Sequence, residues 1–283
     1  MSNAIKAYVL LALLIGLTLF VGETLGGQQG LVIALVISAG MSFISYWFSD
    51  SIVLAMYGAR RAHPEQFPTL FDLVQDLSRQ AGIPMPAIYI IPSMSPNAFA
   101  TGRGPSHAAV AVTEGILAIL TPEELTGVLA HEIAHIANYD VLLSTLVAVL
   151  AGSLSFLSRM VMWGGLGRGR NDDERGNPLL GLVMVILAPI VALLIQMAIS
   201  RSREYLADET GARFCGNPRW LASALARLQQ GIAARPMASA EPATSHMFIA
   251  NPFSGGGLMS LFSTHPPMQE RINRLMALAG GNQ

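Results

Sequence analysis

The sequence predicts a mainly α-helical integral membrane protein, with four transmembrane helices in two hairpins and one α+β domain that contains a small sheet with an edge strand. Composition is the first observation behind this fold class: the 283 residues are 52% hydrophobic and 12% charged, with a mean hydropathy of +0.48. A soluble domain usually carries roughly 25% charged residues. The second observation is that four apolar stretches approach the roughly 20 residues that a helix needs to cross a bilayer. The polar remainder is long enough for one compact domain.

The four apolar stretches run from about residue 7 to 21, 31 to 48, 141 to 163 and 179 to 200. The first is short and follows Lys6, so a secretory signal peptide is the alternative interpretation. Against it, the following "GETLGGQQG" offers no small-x-small cleavage site, and a second apolar stretch begins at once. We therefore interpret residues 1–48 as a transmembrane hairpin.

Basic residues at the ends of the spans predict the orientation of the chain. Lys6 precedes the first span and Arg60 and Arg61 follow the second, so the positive-inside rule puts both flanks on the cytoplasmic side. Within the second hairpin, residues 141–200, the connection "GRGRNDDERG" mixes arginines with acidic residues, and its arginines oppose an outside location. We expect this pair to cross the membrane, and a shallow or tilted hairpin is the alternative.

The polar parts of the chain, residues 49–140 and 201–283, are then two parts of one cytoplasmic domain. The net charge of −1 gives no reason to expect a nucleic-acid partner. Cys215 is the single cysteine, which excludes an intramolecular disulfide and a metal site built from thiolates. Any metal must be held by histidine, aspartate and glutamate.

Residues 49–140 predict a mixture of helices and strands. Apolar residues in "FPTLFDLVQDLSRQAG" recur at helical spacing and end at Gly82, a typical helix-stopping residue. "AIYII" at 87–91 and "AAVAV" at 108–112 are strand candidates. "NAFATGRGPSHAAVAV" reads as two extended arms joined by a Gly/Pro turn at 102–105.

A helix with a strong start signal follows in "TPEELTGVLAHEIAHIANYD". Thr121 is a candidate N-cap, Pro122 suits the first helical position, and Glu124 completes a capping box. In the last part of the chain, Asn217 and Pro218 begin another helix. Residues 231–262 are predicted to form a long loop, and "HPPMQERINRLMALAG" a short closing helix.

The helix after Thr121 carries a candidate metal site. His131 and His135 are four residues apart, so both rings project from one face at a separation that suits one ion. Glu132 lies about 100° around the helix, where it can accept a proton from water without binding the metal. A pair of ordinary surface histidines is the alternative.

A third ligand is available in "SRSREYLADE", which follows the last apolar stretch. Glu204 and Asp208 are four residues apart and share a helical face, so Glu204 can complete the metal site and Asp208 can hydrogen-bond a ligand histidine. A solvated, salt-bridged turn is the alternative for these residues, and His246 in the long loop is a rival third ligand. Two spans separate His131 from Glu204, so both lie on one side of the membrane, and we expect the bilayer to hold the two helices together.

Four motifs, "PNAFATG", "AHEIAHIANYD", "SRSREYLAD" and "STHPPMQERI", together resemble the HtpX family of membrane zinc metalloproteases, which are gluzincins related to the CAAX prenyl proteases. The resemblance extends over nearly the whole chain. It implies a zincin-like metalloprotease fold for the cytoplasmic domain, one zinc ion per chain and endopeptidase activity. It also implies a multi-pass protein of the bacterial inner membrane, with its active site facing the cytoplasm, that acts in stress-linked quality control of misfolded or damaged membrane proteins. The implied partners are these substrates, the lipid bilayer and other membrane proteases.

The resemblance also implies roles for individual residues. His131, His135 and Glu204 would be the zinc ligands and Glu132 the general base. Asn97 would hold substrate from an edge strand, within a substrate-binding stretch made of Asn97, Ala98, Phe99 and Ala100. His265 would donate to the oxyanion of the tetrahedral intermediate. Asp140 and Asp208 would support the ligand histidines, and Arg271 would be either a further anchor or a structural residue.

Two other classes of function compete with a protease. A catalytically inactive zinc-binding membrane scaffold or adaptor would need a closed sphere of four ligands, and the sequence offers no fourth His or Cys near the cluster. A small transporter would need charged or Gly/Pro-broken positions at mid-membrane, and only Pro189 fits.

Overall fold

The computed structural model describes residues 50–145, 201–234, 248–249 and 266–280, together with scattered positions between 12 and 48. Most of the four predicted spans, together with His246 and His265, lie outside these residues. Among the described residues, none of the helices combines the length and the apolar character that crossing a bilayer requires. The four transmembrane helices therefore stay a prediction, while the small sheet and the largely helical domain are confirmed.

The sheet has four strands in the order β1-β2-β4-β3. They are β1 (Arg60–Arg61), β2 (Ala87–Ile91), β3 (Ala98–Gly104) and β4 (His107–Thr113). β2 and β4 are parallel, whereas β1 with β2 and β3 with β4 are antiparallel. The predicted strands, and the turn between the two extended arms, are confirmed. β3 lies at one edge of the sheet, which is the side on which the functional residues gather.

Six helices surround this sheet in the described part of the chain. They are α1 (Pro68–Ala81), α2 (Glu114–Ile119), α3 (Pro122–Ala137), α4 (Arg201–Cys215), α5 (Pro218–Ala234) and α6 (Met268–Gly280). Residues 51–56 and 140–145 are helical as well. The predicted stop of α1 is confirmed, since Gly82 has the left-handed φ of 65° that glycine tolerates best. The loop predicted for 231–262 was placed too early, because α5 continues to Ala234.

α3 begins with the predicted capping box. The Thr121 hydroxyl accepts the Glu124 N–H at 3.3 Å, and the Glu124 carboxylate accepts the Thr121 N–H at 3.0 Å. Glu124 also forms a 2.8 Å ion pair with Arg227 of α5. Local sequence thus starts the helix, and a long-range pair ties its first turn to a neighbouring helix.

α3 is the central element of the domain. It packs against β3 and β4 of the sheet and against helices α1, α4 and α5. Its residues from Gly127 to Ala134 are all buried, including His131 and Glu132. A histidine and a glutamate are rarely buried this deeply unless nearby groups compensate their polarity.

A glycine brings α4 unusually close to α3. A Cβ atom at position 211 would lie 2.8 Å from the backbone nitrogen of His131 and 2.9 Å from the carbonyl carbon of Ala130. Because Glu204, Asp208 and Gly211 follow one another at helical spacing, they share the face of α4 that meets α3. The close approach at Gly211 therefore directs both carboxylates at the histidine helix.

A smaller cluster lies on the other face of β3. Phe99 packs there with Tyr57 and Phe248, with ring centroids 5.0 to 5.8 Å apart. Ala98 and Ala100, on either side of Phe99, face the main core instead. This alternation is the usual consequence of the two-residue period of a strand.

Candidate metal centre

Three side chains from α3 and α4 converge on one point. In the described part of the chain, His131, His135 and Glu204 offer ligand atoms that all lie within 4.8 Å of one another. The two Nε2 atoms are 3.1 Å apart, and the Glu204 oxygens lie 3.4 Å from Nε2 of His135 and 3.7 Å from Nε2 of His131. Ligands bound tetrahedrally at about 2.0–2.1 Å are separated by about 3.3 Å. The observed separations bracket that value.

Two aspartates hold the histidines from behind. Nδ1 of His131 lies 2.9 Å from Asp208, and Nδ1 of His135 lies 3.0 Å from Asp140. When each Nδ1–H donates to its carboxylate, each Nε2 presents a lone pair to the centre. Asp140 reaches back to His135 because Tyr139, between them, adopts a left-handed φ of 60°.

The donor set calls for a cation. Two Nε2 lone pairs and a carboxylate face one another at hydrogen-bond distance, an arrangement that is repulsive unless positive charge lies between them. The pKa of His135 reflects this need for positive charge. Burial would lower that pKa, but Asp140 and Glu204 raise it to about 10, so a protonated His135 balances the charge of the carboxylates. Burial lowers the pKa of His131 to about 4, aided by the charge of Arg271, which leaves a neutral imidazole suited to metal binding.

The charges around the centre also fit a divalent ion. Among the described residues, four carboxylates interact with it, those of Glu132, Asp140, Glu204 and Asp208. Two guanidinium groups, of Arg203 and Arg271, act on these carboxylates. When all four carboxylates are ionised, the two guanidinium groups cancel two of the four negative charges. The net charge of −2 that remains matches one divalent cation.

Glu132 lies beside the candidate metal ligands and is almost fully buried, with 2% of its surface exposed. Its pKa is raised to about 7, chiefly by burial; His135 opposes this rise and Glu204 adds to it. The backbone N–H of Ala100, on the edge strand, acts on the Glu132 carboxylate and lowers its pKa. A carboxyl group with a pKa near neutrality can both accept and return a proton.

Arg271, for which the resemblance left an anchoring and a structural role open, lies inside the site. It is fully buried, and its Nε and Nη2 atoms donate to the two oxygens of Asp208 at 2.9 and 2.7 Å. Burial would lower the pKa of this guanidinium, but Asp208 raises it. Burial would likewise raise the pKa of Asp208, but Arg271 holds it below its usual value. The only sequence signal was the position of Arg271 six residues after His265.

The predicted substrate-binding stretch starts just before β3 and lies along its first residues. Asn97 is fully buried, and its side-chain oxygen accepts the N–H of Ala98 at 3.1 Å. The Phe99 side chain points into the aromatic cluster, away from α3. Asn97 and Phe99 are thus more deeply buried than residues that line a cleft usually are. Within the predicted stretch, Ala100 is the residue next to the candidate metal centre, because its N–H acts on Glu132. His265 and the rival ligand His246 lie outside the described residues.

Comparison with known protein families matches residues 64–279 to peptidase family M48. The chain belongs to peptidase family M48. The match covers both polar parts of the chain, including all of the residues that form the candidate metal centre. The resemblance seen in the four motifs is thereby confirmed.

Individual relatives agree with this assignment. A protein named "Protease HtpX homolog" from Desulfatibacillum aliphaticivorans is 54% identical over 97% of this chain and 89% of its own length. Proteins of the same name from Syntrophobacter fumaroxidans and Pyrococcus furiosus are each 52% identical, over 98% and 97% of this chain and 100% and 96% of their own lengths. Among solved structures, the crystal structure of S. mikatae Ste24p aligns with 96% of this chain and 64% of its own, at a TM-score of 0.49 and 18% identity.

Membership of this family makes the chain a metalloendopeptidase, and the comparisons support an association with membranes. A metal cofactor is part of that activity, and the cluster of His131, His135 and Glu204 is compatible with binding it.

Proposed function

We propose that this chain is a zinc-dependent endopeptidase of the bacterial inner membrane that cleaves misfolded or damaged membrane proteins on the cytoplasmic side. The observation that carries the proposal is the convergence of His131, His135 and Glu204 beside a buried carboxyl group, Glu132, whose pKa lies near neutrality. Two imidazoles and one carboxylate are a ligand set typical of catalytic zinc, which keeps a fourth position for water or substrate.

In this proposal the zinc ion, when bound, would act as a Lewis acid towards the substrate carbonyl and lower the pKa of a water molecule. Glu132 accepts a proton from the attacking water as its oxygen bonds to the carbonyl carbon, and returns that proton to the nitrogen of the leaving amine as the C–N bond breaks. Asp208 and Asp140 keep the two ligand histidines in the tautomer that presents Nε2. His265, from the resemblance, is assigned the stabilisation of the oxyanion, a contribution of about 3 kcal/mol for such a donor.

The edge strand supports a broad substrate range. An extended peptide that pairs with β3 would be recognised through its main chain, whatever its side chains are. Unfolded segments have main-chain N–H and C=O groups free to pair with a strand, whereas in folded proteins these groups are mostly hydrogen-bonded already. Cleavage sites mapped by mass spectrometry on several unfolded substrates should therefore share no sharp consensus.

The cytoplasmic orientation rests on the distribution of basic residues. Lys6, Arg60 and Arg61 flank the first predicted hairpin, and the domain that follows it carries the metal centre. Damaged membrane proteins are the proposed substrates because the second predicted hairpin, residues 141–200, separates the two histidines from Glu204 and would hold the centre beside the membrane. Other membrane proteases are proposed as partners on the resemblance alone.

The alternative function is a catalytically inactive zinc-binding scaffold or adaptor. It is not favoured, because the three residues of the cluster, in the described part of the chain, suit an open catalytic site and Glu132 would have no purpose in a structural one.

The proposal is tested by the purified full-length protein in detergent with an unfolded casein substrate. Cleavage should require zinc, stop with a chelator and return when zinc is restored. Glu132→Gln should keep its zinc and lose activity by several orders of magnitude, because the amide preserves shape but cannot act as a base. Residual activity within about tenfold of wild type would refute the role of Glu132.

A further inference from the structure

Ile249 comes from the region predicted to form a long loop, and both of its backbone polar groups, the N–H and the carbonyl oxygen, form hydrogen bonds. Its N–H donates to the carbonyl oxygen of Ala98 on the edge strand at 3.1 Å, and its carbonyl oxygen accepts from Nη1 of Arg271 at 3.0 Å. Ile249 is only 1% exposed. An edge strand on one side and an arginine on the other are the contacts that an extended peptide would use to bind here.

The residue before it fills an apolar pocket. Phe248 is fully buried between Tyr57 and Phe99, at centroid distances of 5.0 and 5.4 Å and in edge-to-face geometry with both rings. A large apolar side chain in a pocket, next to main-chain pairing with a sheet edge, is the usual combination in peptide recognition by strand addition.

These contacts lie next to the catalytic residues. Arg271 joins Ile249 to Asp208, which holds the ligand His131. Ala98 is two residues before Ala100, whose N–H acts on the Glu132 carboxylate, and two strand residues span about 6.6 Å. The two loop residues therefore lie along the strand that leads to the general base.

The outer edge of β3 has few places for another peptide. The N–H of Thr113 on β4 donates to Asn97, so by antiparallel alternation Ala98, Ala100 and Gly102 turn their polar groups outward. The Ala98 carbonyl accepts from Ile249, the Ala100 N–H acts on the Glu132 carboxylate, and the Gly102 N–H donates to the Thr145 hydroxyl at 3.2 Å. Among the described residues, Ile249 occupies the Ala98 end of this edge, so a substrate strand that pairs with the Ala98 carbonyl must take its place.

We propose that Phe248 and Ile249 are an intramolecular ligand of the substrate cleft, which a substrate peptide bearing a large apolar side chain must displace from the edge of β3 and from Arg271. The inference rests on the proposed function, since it concerns regulation of the same site. It makes the cleft self-occupied in the absence of substrate and favours unfolded chains that expose aromatic residues.

The test measures binding rather than cleavage, so that it is independent of turnover. The probe is a short fluorescein-labelled peptide with one central phenylalanine, added to full-length, zinc-loaded Glu132→Gln protein in detergent and followed by fluorescence anisotropy. Adding Ile249→Pro removes the N–H that competes for Ala98 and should tighten binding about three- to tenfold, the factor that corresponds to one hydrogen bond. The matched control, Ile249→Val, keeps the N–H and should bind the peptide as the parent does.

Binding that is unchanged or weaker in a folded, zinc-loaded Ile249→Pro variant would overturn the proposal. If that variant does not fold, hydrogen exchange of the parent decides instead. Peptide binding should speed exchange of the Ile249 amide, and unchanged or slower exchange would overturn the proposal. A wild type that cleaves nothing, together with tighter binding by Ile249→Pro, would refute the proposed activity and leave this inference standing.

Discussion

At the scale of single residues, the candidate site depends on carboxylates that are not themselves candidate metal ligands. Asp208 and Asp140 each lie within hydrogen-bond distance of Nδ1 of one candidate ligand histidine, which favours the tautomer whose Nε2 lone pair faces inward. Asp208 also forms an ion pair with Arg271, whose buried guanidinium group donates hydrogen bonds to both carboxylate oxygens. A change at Asp208 should therefore alter metal affinity without removing a ligand.

Replacing Asp208 by asparagine tests this arrangement. The amide can accept a hydrogen bond but carries no charge, so zinc should stay bound with an affinity reduced roughly 10- to 100-fold. Competition with a chromophoric chelator measures the change. Asp76→Asn is the matched control, because that aspartate is exposed and pairs only with Arg79 on the surface of α1. Equal zinc affinities in the two variants would contradict the supporting role of Asp208.

The pKa of Glu132 leads to a prediction about pH. Burial raises this pKa to about 7, and a divalent cation nearby would lower it again. The base must be ionised to act. As the pH decreases, kcat/KM for a fluorogenic peptide should therefore fall about tenfold per pH unit, beginning at an apparent pKa that lies at or below about 7. A rate that instead rises as the pH falls from about 8 to about 6 would rule out Glu132 as the base.

At the scale of secondary-structure elements, the register between α3 and α4 sets the geometry of the centre. Gly211 allows the two helices to approach until a Cβ atom would touch the backbone of Ala130 and His131. Glu204 and Asp208 lie on the same face, within two turns of this contact.

Gly211→Ala should push α4 away from the ligand histidines. Alanine favours a helix by about 1 kcal/mol over glycine, but the clash is with backbone that cannot rotate aside, and such overpacking costs about 1–3 kcal/mol. Both the melting temperature and the zinc affinity should fall. Gly280→Ala is the control, since nothing lies within 4 Å of the added methyl group. A Gly211→Ala protein that binds zinc as tightly as wild type would show that this approach is unimportant.

Local signals in the sequence predicted the elements well. These signals act within a few residues of the chain. They are the capping box at Thr121, the stop at Gly82, and the four-residue spacings of His131 with His135 and of Glu204 with Asp208. The short helix α2 was missed, although its N-cap Thr113, followed by Glu114, was a usable signal. The contacts of Arg271 with Asp208 and of Ile249 with Ala98 join distant parts of the chain. No local periodicity predicts such contacts, so the burial of Arg271 and the occupied edge of β3 could not be predicted.

At the scale of the whole molecule, the question is what keeps His131 and Glu204 together across a long stretch of intervening sequence. The sequence suggested the bilayer, as the common support of two hairpin ends. The domain itself also contributes, because α3 and α4 pack directly at Gly211 and α6 joins them through Arg271. The predicted membrane anchoring and the observed domain packing would thus act on the same pair of helices.

The predicted crossing of the second hairpin can be tested by cysteine labelling. In a Cys215→Ser background, Asp172→Cys should react with a membrane-impermeant maleimide only in right-side-out vesicles. His63→Cys, an exposed position in the part predicted to be cytoplasmic, should react only in inside-out vesicles. Labelling of both positions in the same vesicles would mean that residues 141–200 do not cross, and would favour the shallow hairpin.

The identity of the third ligand tests the account most directly, since it joins the motif, the helix register and the topology. The measurement is the zinc content of purified full-length variants by mass spectrometry. Glu204→Ala should lose most of its zinc, because Glu204 lies 3.4 Å from Nε2 of His135 in the centre of the cluster. Glu209→Ala should keep the metal at the wild-type level, because Glu209 is exposed and turned away from α3. An empty Glu209→Ala protein beside a zinc-loaded Glu204→Ala protein would contradict the account.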